Sequence, residues 1–136
     1  MDIERLNITI LLVDDDELVT EVGSEMLAYL GYQVLTASSG KEAVDTMAGK
    51  GDAVDLIILD MIMNGMSGEE AFEAIRAINN DVPVLLCSGS RMDRQASQIL
   101  ERGFDGYIQK PFELNVLSRS IREILKKRKP ALDIKT

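Results

Sequence analysis

Four aspartates stand where apolar runs end. Asp14, Asp15 and Asp16 follow the run Ile8–Val13, and Asp60 closes Leu56-Ile57-Ile58-Leu59. Ser88 follows Val84-Leu85-Leu86-Cys87, and Lys110 follows Tyr107-Ile108-Gln109. If these runs are parallel strands, the carboxylates, hydroxyl and ammonium at their ends all point into one crevice. Two carboxylates ~4 Å apart repel by about 4 kcal/mol at an effective dielectric of roughly 20. Three crowded together repel on the order of twice that, so one protonates or a cation joins them. Oxygen donors without histidine select a hard ion, Mg²⁺ or Mn²⁺ in its place. With Lys110 offsetting one further charge, such a crevice suits a phosphoryl group.

Plainer roles exist for each residue. Asp16 directly precedes a helix and reads as its N-cap. Cys87 reads as a small core side chain, Ser88 as a buried hydroxyl, and Tyr107 as a half-buried strand aromatic. Asp14, Asp15 and Asp60 are harder to explain this way, because they converge if the first and third strands are neighbours.

The 136 residues suit one domain, with a core over about 8–126 and a short basic C-terminal tail, Lys126-Lys127-Arg128-Lys129. The chain has no histidine, which excludes a histidine nucleophile, base or zinc ligand from within it. A net charge of −8 argues against direct nucleic-acid binding, so the basic tail reads as a solvated last helical turn. One cysteine makes no internal disulfide, which suits a reducing compartment. Met1–Arg5 lacks the pattern of a signal peptide, and no apolar stretch nears the ~18 residues that cross a bilayer. A cytoplasmic protein without membrane contact is expected. No Gly-rich nucleotide-binding loop is present.

The elements that position these residues alternate. Strands are expected at Ile8–Val13, Gln33–Ala37, Leu56–Leu59, Val82–Cys87 and Tyr107–Gln109. Leu18, Val22, Met26 and Leu30 at four-residue spacing predict a helix ending at Gly31. Ser39-Gly40-Lys41-Glu42 and Ser67-Gly68-Glu69-Glu70 fit capping boxes. The first opens a helix carrying Ala43, Val44 and Met47 to Gly49. The second opens one burying Ala71, Phe72, Ile75 and Ile78. Ser90 and Asp93 cap a weaker helix to Gly103 that carries Ala96, Ile99 and Leu100. A last helix places Leu114, Leu117, Ile121 and Ile124 on one face. Five strand–helix pairs in so short a chain predict an α/β doubly wound parallel sheet with helices on both faces and right-handed crossovers.

Leu11-Leu12-Val13-Asp14-Asp15, Leu59-Asp60-Met61, Leu86-Cys87-Ser88-Gly89 and Tyr107-Ile108-Gln109-Lys110-Pro111-Phe112 together resemble the receiver domain of two-component response regulators. The resemblance covers about Thr9 to Lys126. It implies a flavodoxin-like (βα)5 fold with a five-stranded sheet of order 2-1-3-4-5. It also implies that Asp60 accepts a phosphoryl group from a phosphohistidine on a partner histidine kinase or histidine phosphotransfer domain. Asp14 and Asp15 would hold Mg²⁺ with Asp60 and the backbone carbonyl of Ile62. Ser88 and Lys110 would bind the phosphoryl oxygens, and Ser88 with Tyr107 would form the switch. The Lys110-Pro111 bond is expected cis. In this family the helix after Ser90 and the strand at Tyr107 form the signalling face, through which a homodimer could assemble. The wording around Ser88 and Lys110 is similar to the C-terminal receivers of hybrid sensor histidine kinases. Two departures stand out: Asn64 occupies a position where the family usually has proline, which should loosen the loop modestly, and the helix after Ser90 is poor in apolar residues.

Two rivals remain. Asp14-x-Asp16 after a buried strand resembles the haloacid-dehalogenase phosphatases, with Asp14 as nucleophile and Asp16 as acid/base. A pseudo-receiver that has lost phosphorylation would share the fold.

Overall fold

The computed structural model describes residues 7–89 and 101–128. In chain order its elements are β1 (Thr9–Val13), α1 (Glu17–Tyr29), β2 (Gln33–Ala37), α2 (Gly40–Lys50), a 3-10 turn (Gly51–Ala53), β3 (Leu56–Asp60), α3 (Gly68–Ile78), β4 (Val84–Ser88), β5 (Gly106–Gln109) and α4 (Leu114–Arg128). All neighbouring strands pair in parallel, in the order β2-β1-β3-β4-β5. The flavodoxin-like order implied by the resemblance is the one observed.

Alternation along each strand divides the core into two layers. Leu11, Val13, Ile57, Leu59, Val84 and Leu86 meet α2 and α3 on one face. Ile10, Leu12, Ile58, Leu85 and Ile108 meet α1 and α4 on the other. The central strands β3 and β4 are apolar up to their last residues, Asp60 and Ser88, because both faces are covered.

Helix boundaries follow local chemistry. The Asp16 side chain accepts from the Leu18 N–H and caps α1. That helix ends in a Schellman arrangement: Gly31, at φ 100°, donates to the Ala28 carbonyl and Tyr32 to that of Leu27. Ser67 and Glu70 form the full reciprocal capping box on α3. On α2, Ser39 accepts from the Glu42 N–H as expected, but the Glu42 carboxylate reaches back to the Ser38 N–H.

Two apolar faces differ from expectation. On α1 the buried residues are Gly23 and Leu27, whereas Leu18 is 67% exposed and Val22 42%. A strict four-residue repeat drifts about 40° per step around a helix of 3.6 residues per turn. Only its Met26 and Leu30 end therefore reaches the core. Gly23 is buried because the Leu12 and Phe112 side chains occupy the space a Cβ would need. Ile78 closes α3 and is exposed, with Ala71, Phe72 and Ile75 carrying its buried face. Strand β4 starts two residues later than expected, after Pro83, whose carbonyl accepts from Ile57.

Ser90, Asp93, Ala96, Ile99 and Leu100 lie outside the described residues, as does Lys129 at the end of the basic run. The expected helix end at Gly103 carries a φ of 106°, suited to a glycine after a helix. Lys126 and Lys127 are exposed on α4.

Candidate functional site

Asp14 and Asp60 come together at the carboxyl ends of neighbouring strands, both almost fully buried. Asp14 is the first residue past β1, and its N–H still donates to Ala37 at 3.1 Å. Asp60 is the last residue of β3, held between β1 and β4 and in register with Cys87. Lys110 reaches across from the end of β5. Its Nζ donates to Asp14 Oδ2 at 2.9 Å and lies 3.3 Å from Asp60 Oδ1. The other Asp14 oxygen accepts from the Asp16 N–H at 2.9 Å. The Lys110-Pro111 bond is cis, as expected.

One ammonium between two buried carboxylates leaves a negative excess in a place of low polarity. Burial pushes the Asp60 carboxyl above its ordinary range, and the charge of Asp14 pushes it further; Lys110 and the Ile62 N–H pull it partly back. Burial works against the charge of Lys110, but its bond to Asp14 and the two carboxylates outweigh that and raise its pKa. The Cys87 thiol is also pushed up, by burial first and then by Asp60, so it stays protonated.

Donor atoms of Asp14, Asp60 and Cys87 lie within 4.8 Å of one another. Since that thiol is held neutral, the available ligands are carboxylate oxygens with an unmet negative charge. That donor set fits a hard divalent cation such as Mg²⁺.

Asp15 stands apart from this buried pair. It is exposed, and its Oδ2 accepts from the Asn64 N–H at 2.9 Å. Asp16 serves as the α1 cap, the plainer of its two expected roles. Ile62 follows closely on Asp60 in an exposed loop, and its recorded contact with the carboxylate is through its N–H. Ser88 is buried at the end of β4, and Lys110 donates from its backbone to the Ser88 carbonyl at 2.8 Å. Strand alternation sends Asp14, Asp60, Cys87 and Lys110 toward one face, whereas Ser88 leaves on the opposite face. Tyr107 packs on that second face, in register with Leu86. The strand-end groups therefore rise from two faces of the sheet.

Sequence reasoning missed Gly68. A Cβ there would lie 2.4 Å from the Asp60 carbonyl oxygen and 2.7 Å from Met61 Cα. Its N–H donates to the Met61 carbonyl at 2.9 Å, so the first turn of α3 presses directly on the end of β3. No residue-type signal separates this glycine from an ordinary one in a capping box.

A five-stranded parallel sheet with paired acids and a lysine at its carboxyl edge defines a flavodoxin-like α/β domain. Over residues 10–122 the sequence matches the response regulator receiver domain, and the chain belongs to that family. Response regulator MprA of Mycobacterium bovis (strain BCG / Pasteur 1173P2) is 34% identical over 125 residues, which cover 92% of this chain and 54% of that protein. MprA of Mycobacterium avium (strain 104) is 35% identical over 91% of this chain and 54% of its own length. The chain thus spans about half the length of these curated relatives. A response regulator receiver domain protein from Clostridium thermocellum superposes with a TM-score of 0.84 at 27% identity, covering 91% of this chain and 98% of that one. Chemotaxis protein CheY4 of Vibrio cholerae gives 0.78 at 28% identity, over 87% and 98%. Among the described residues no helix is long and apolar enough to cross a membrane.

Proposed function

We propose that Asp60 is the phosphoacceptor of a two-component signalling pathway. The observation that carries this reading is a buried carboxylate at the end of the central strand, crowded by Asp14 and answered by Lys110. Its donor, as in the family, is a phosphohistidine on a histidine kinase or histidine phosphotransfer domain, and since this sequence contains no histidine the donor lies on another domain or chain. An Asp60 oxygen forms the new bond to phosphorus while the phosphorus–nitrogen bond of the donor breaks. The imidazole nitrogen keeps the electron pair and takes up a proton from water. Lys110 balances charge on the transferred oxygens, and Ser88 donates its hydroxyl to one of them.

Asp14, Asp15, Asp60 and the Ile62 carbonyl are the residues that would hold Mg²⁺ or Mn²⁺. When bound, the ion supplies neutralisation of charge on the phosphoryl oxygens. Ser88 and Tyr107 form the switch, because they share the sheet face opposite to the acid pair. We read the chain as one receiver domain in the cytoplasm, with only self-directed phosphotransfer and dephosphorylation. It belongs either to a stand-alone regulator or to a hybrid histidine kinase. A homodimer through the β5 side is its self-association mode.

The test is phosphorylation by a small acyl-phosphate donor with Mg²⁺, read by intact mass and by acid-gel mobility. Asp60→Asn should abolish the adduct, and removing Mg²⁺ should do the same. An adduct that survives in Asp60→Asn but vanishes in Asp14→Asn would transfer the case to the phosphatase rival. Absence of any adduct, together with no NMR response to beryllofluoride at Asp60, Ser88 and Tyr107, would favour a pseudo-receiver.

A further inference from the structure

The loop after β3 is tied to the loop after β1 by a long-range bond. The Asn64 N–H donates to Asp15 Oδ2 at 2.9 Å, across 49 positions of sequence. We infer that Asn64 is a positioning residue: its backbone N–H holds one oxygen of Asp15 and leaves the other for the cation. The inference rests on the reading of Asp15 as a cation ligand.

Three facts support it. Asp15 is exposed, so an untethered side chain would sample several rotamers and lose that freedom on ligation. A charge-assisted bond to one oxygen orders the carboxylate beforehand, and Oδ1 has a lone-pair set to spare. The surrounding loop is itself fixed at its far end. The Gly68 N–H donates to the Met61 carbonyl, and Met66 packs against the Gly40 backbone, where an added Cβ would lie 3.0 Å from Met66 Cβ. Gly65, at φ 80°, turns the chain directly after Asn64. The donor is therefore presented by a braced turn.

The bond comes from the backbone, which makes it indifferent to the Asn64 side chain with one exception. Proline has no N–H to give. Asparagine at this position thus does more than loosen the loop, because it supplies a fastening that proline is unable to make.

The experiment is a Mg²⁺ titration of the unphosphorylated protein, followed by backbone amide NMR shifts. Asn64→Ala should bind Mg²⁺ as the wild type does, whereas Asn64→Pro should bind about tenfold more weakly, as when an outer ligand support is lost. In an Asp15→Asn background Asn64→Pro should add nothing further. An equal loss with and without the Asp15 carboxylate would trace the effect to loop distortion and overturn the inference. So would full Mg²⁺ affinity in Asn64→Pro when Asp15→Asn alone weakens binding. If Asp15→Asn itself leaves binding intact, the ligand reading of Asp15 fails. Amide exchange gives a readout that needs no proline variant: the Asn64 N–H should exchange roughly tenfold faster in Asp15→Ala, as expected for loss of about 1.4 kcal/mol of protection. Unchanged exchange would show that the tether is absent in solution.

Discussion

The two ends of the sheet use the same side chain for opposite purposes. At the amino end, Asp55 precedes β3 and Asp105 precedes β5. Asp55 donates its N–H to the Thr9 carbonyl at 2.8 Å, while its carboxylate accepts from the Thr9 N–H at 2.9 Å. Asp105 repeats the arrangement on Val84, at 2.9 and 2.8 Å, and lies 3.6 Å from Arg76, which in turn stands over the Phe72 ring. Each of these acids closes the first rung of a strand pair and is matched by donors. At the carboxyl end, Asp14 and Asp60 face each other with one lysine between them. A carboxylate surrounded by N–H groups is a fastener. A carboxylate set beside another is held in a state that a cation would relieve.

The sharpest way to break this contrast is Lys110→Met, which leaves two buried carboxylates without their cation. It is expected to cost about 3–5 kcal/mol in urea unfolding, with a partial return on adding Mg²⁺. A loss well under 1 kcal/mol would mean that the carboxyl end is no more strained than the amino end. Next in size is Asp105→Ala, which orphans the Val84 N–H and removes the carboxylate partner of Arg76, leaving that guanidinium its bond to the Val82 carbonyl. Its expected cost is about 2 kcal/mol, and Mg²⁺ should not restore it. Rescue by Mg²⁺ would erase the distinction between the ends.

The smallest effect has the opposite sign. Asp60→Asn removes a charge whose folded pKa is raised, and should raise the melting temperature slightly at neutral pH. Because the folded form binds the proton more tightly, its ionisation penalty is present at neutral pH. That penalty is lifted as pH falls through the raised value toward the ordinary 3.8. The advantage of Asp60→Asn over wild type should therefore close on acidification. A melting temperature below wild type at pH 7 would count Asp60 among the fasteners.

Much of this was legible in the chain of residues. Short apolar runs, four of the five strand ends being followed or closed by Asp14, Asp60, Ser88 or Lys110, identified the strands, because central strands covered on both faces leave no room for alternation with polar residues. The order of the acids, Ser88 and Lys110 then located the site edge. What escaped detection has a common cause. The Asn64 tether, the Gly68 contact and the clasps at Asp55 and Asp105 each have a main-chain group as one partner, and a residue type does not say which main-chain group will be near. The α1 face was misassigned for a different reason. Its buried stripe is centred on a glycine, Gly23, whose lack of a side chain admits Leu12 and Phe112. A hydrophobic pattern has no way to register burial by omission.

The register of Asp60 has one more consequence. The residue lies within the β3–β4 ladder opposite Cys87, and the next N–H, from Met61, donates to the Cys87 carbonyl at 3.0 Å. Its main chain has no slack behind it. Anything added to the side chain pushes against an anvil, and the recoil falls on what faces it, the lysine arm.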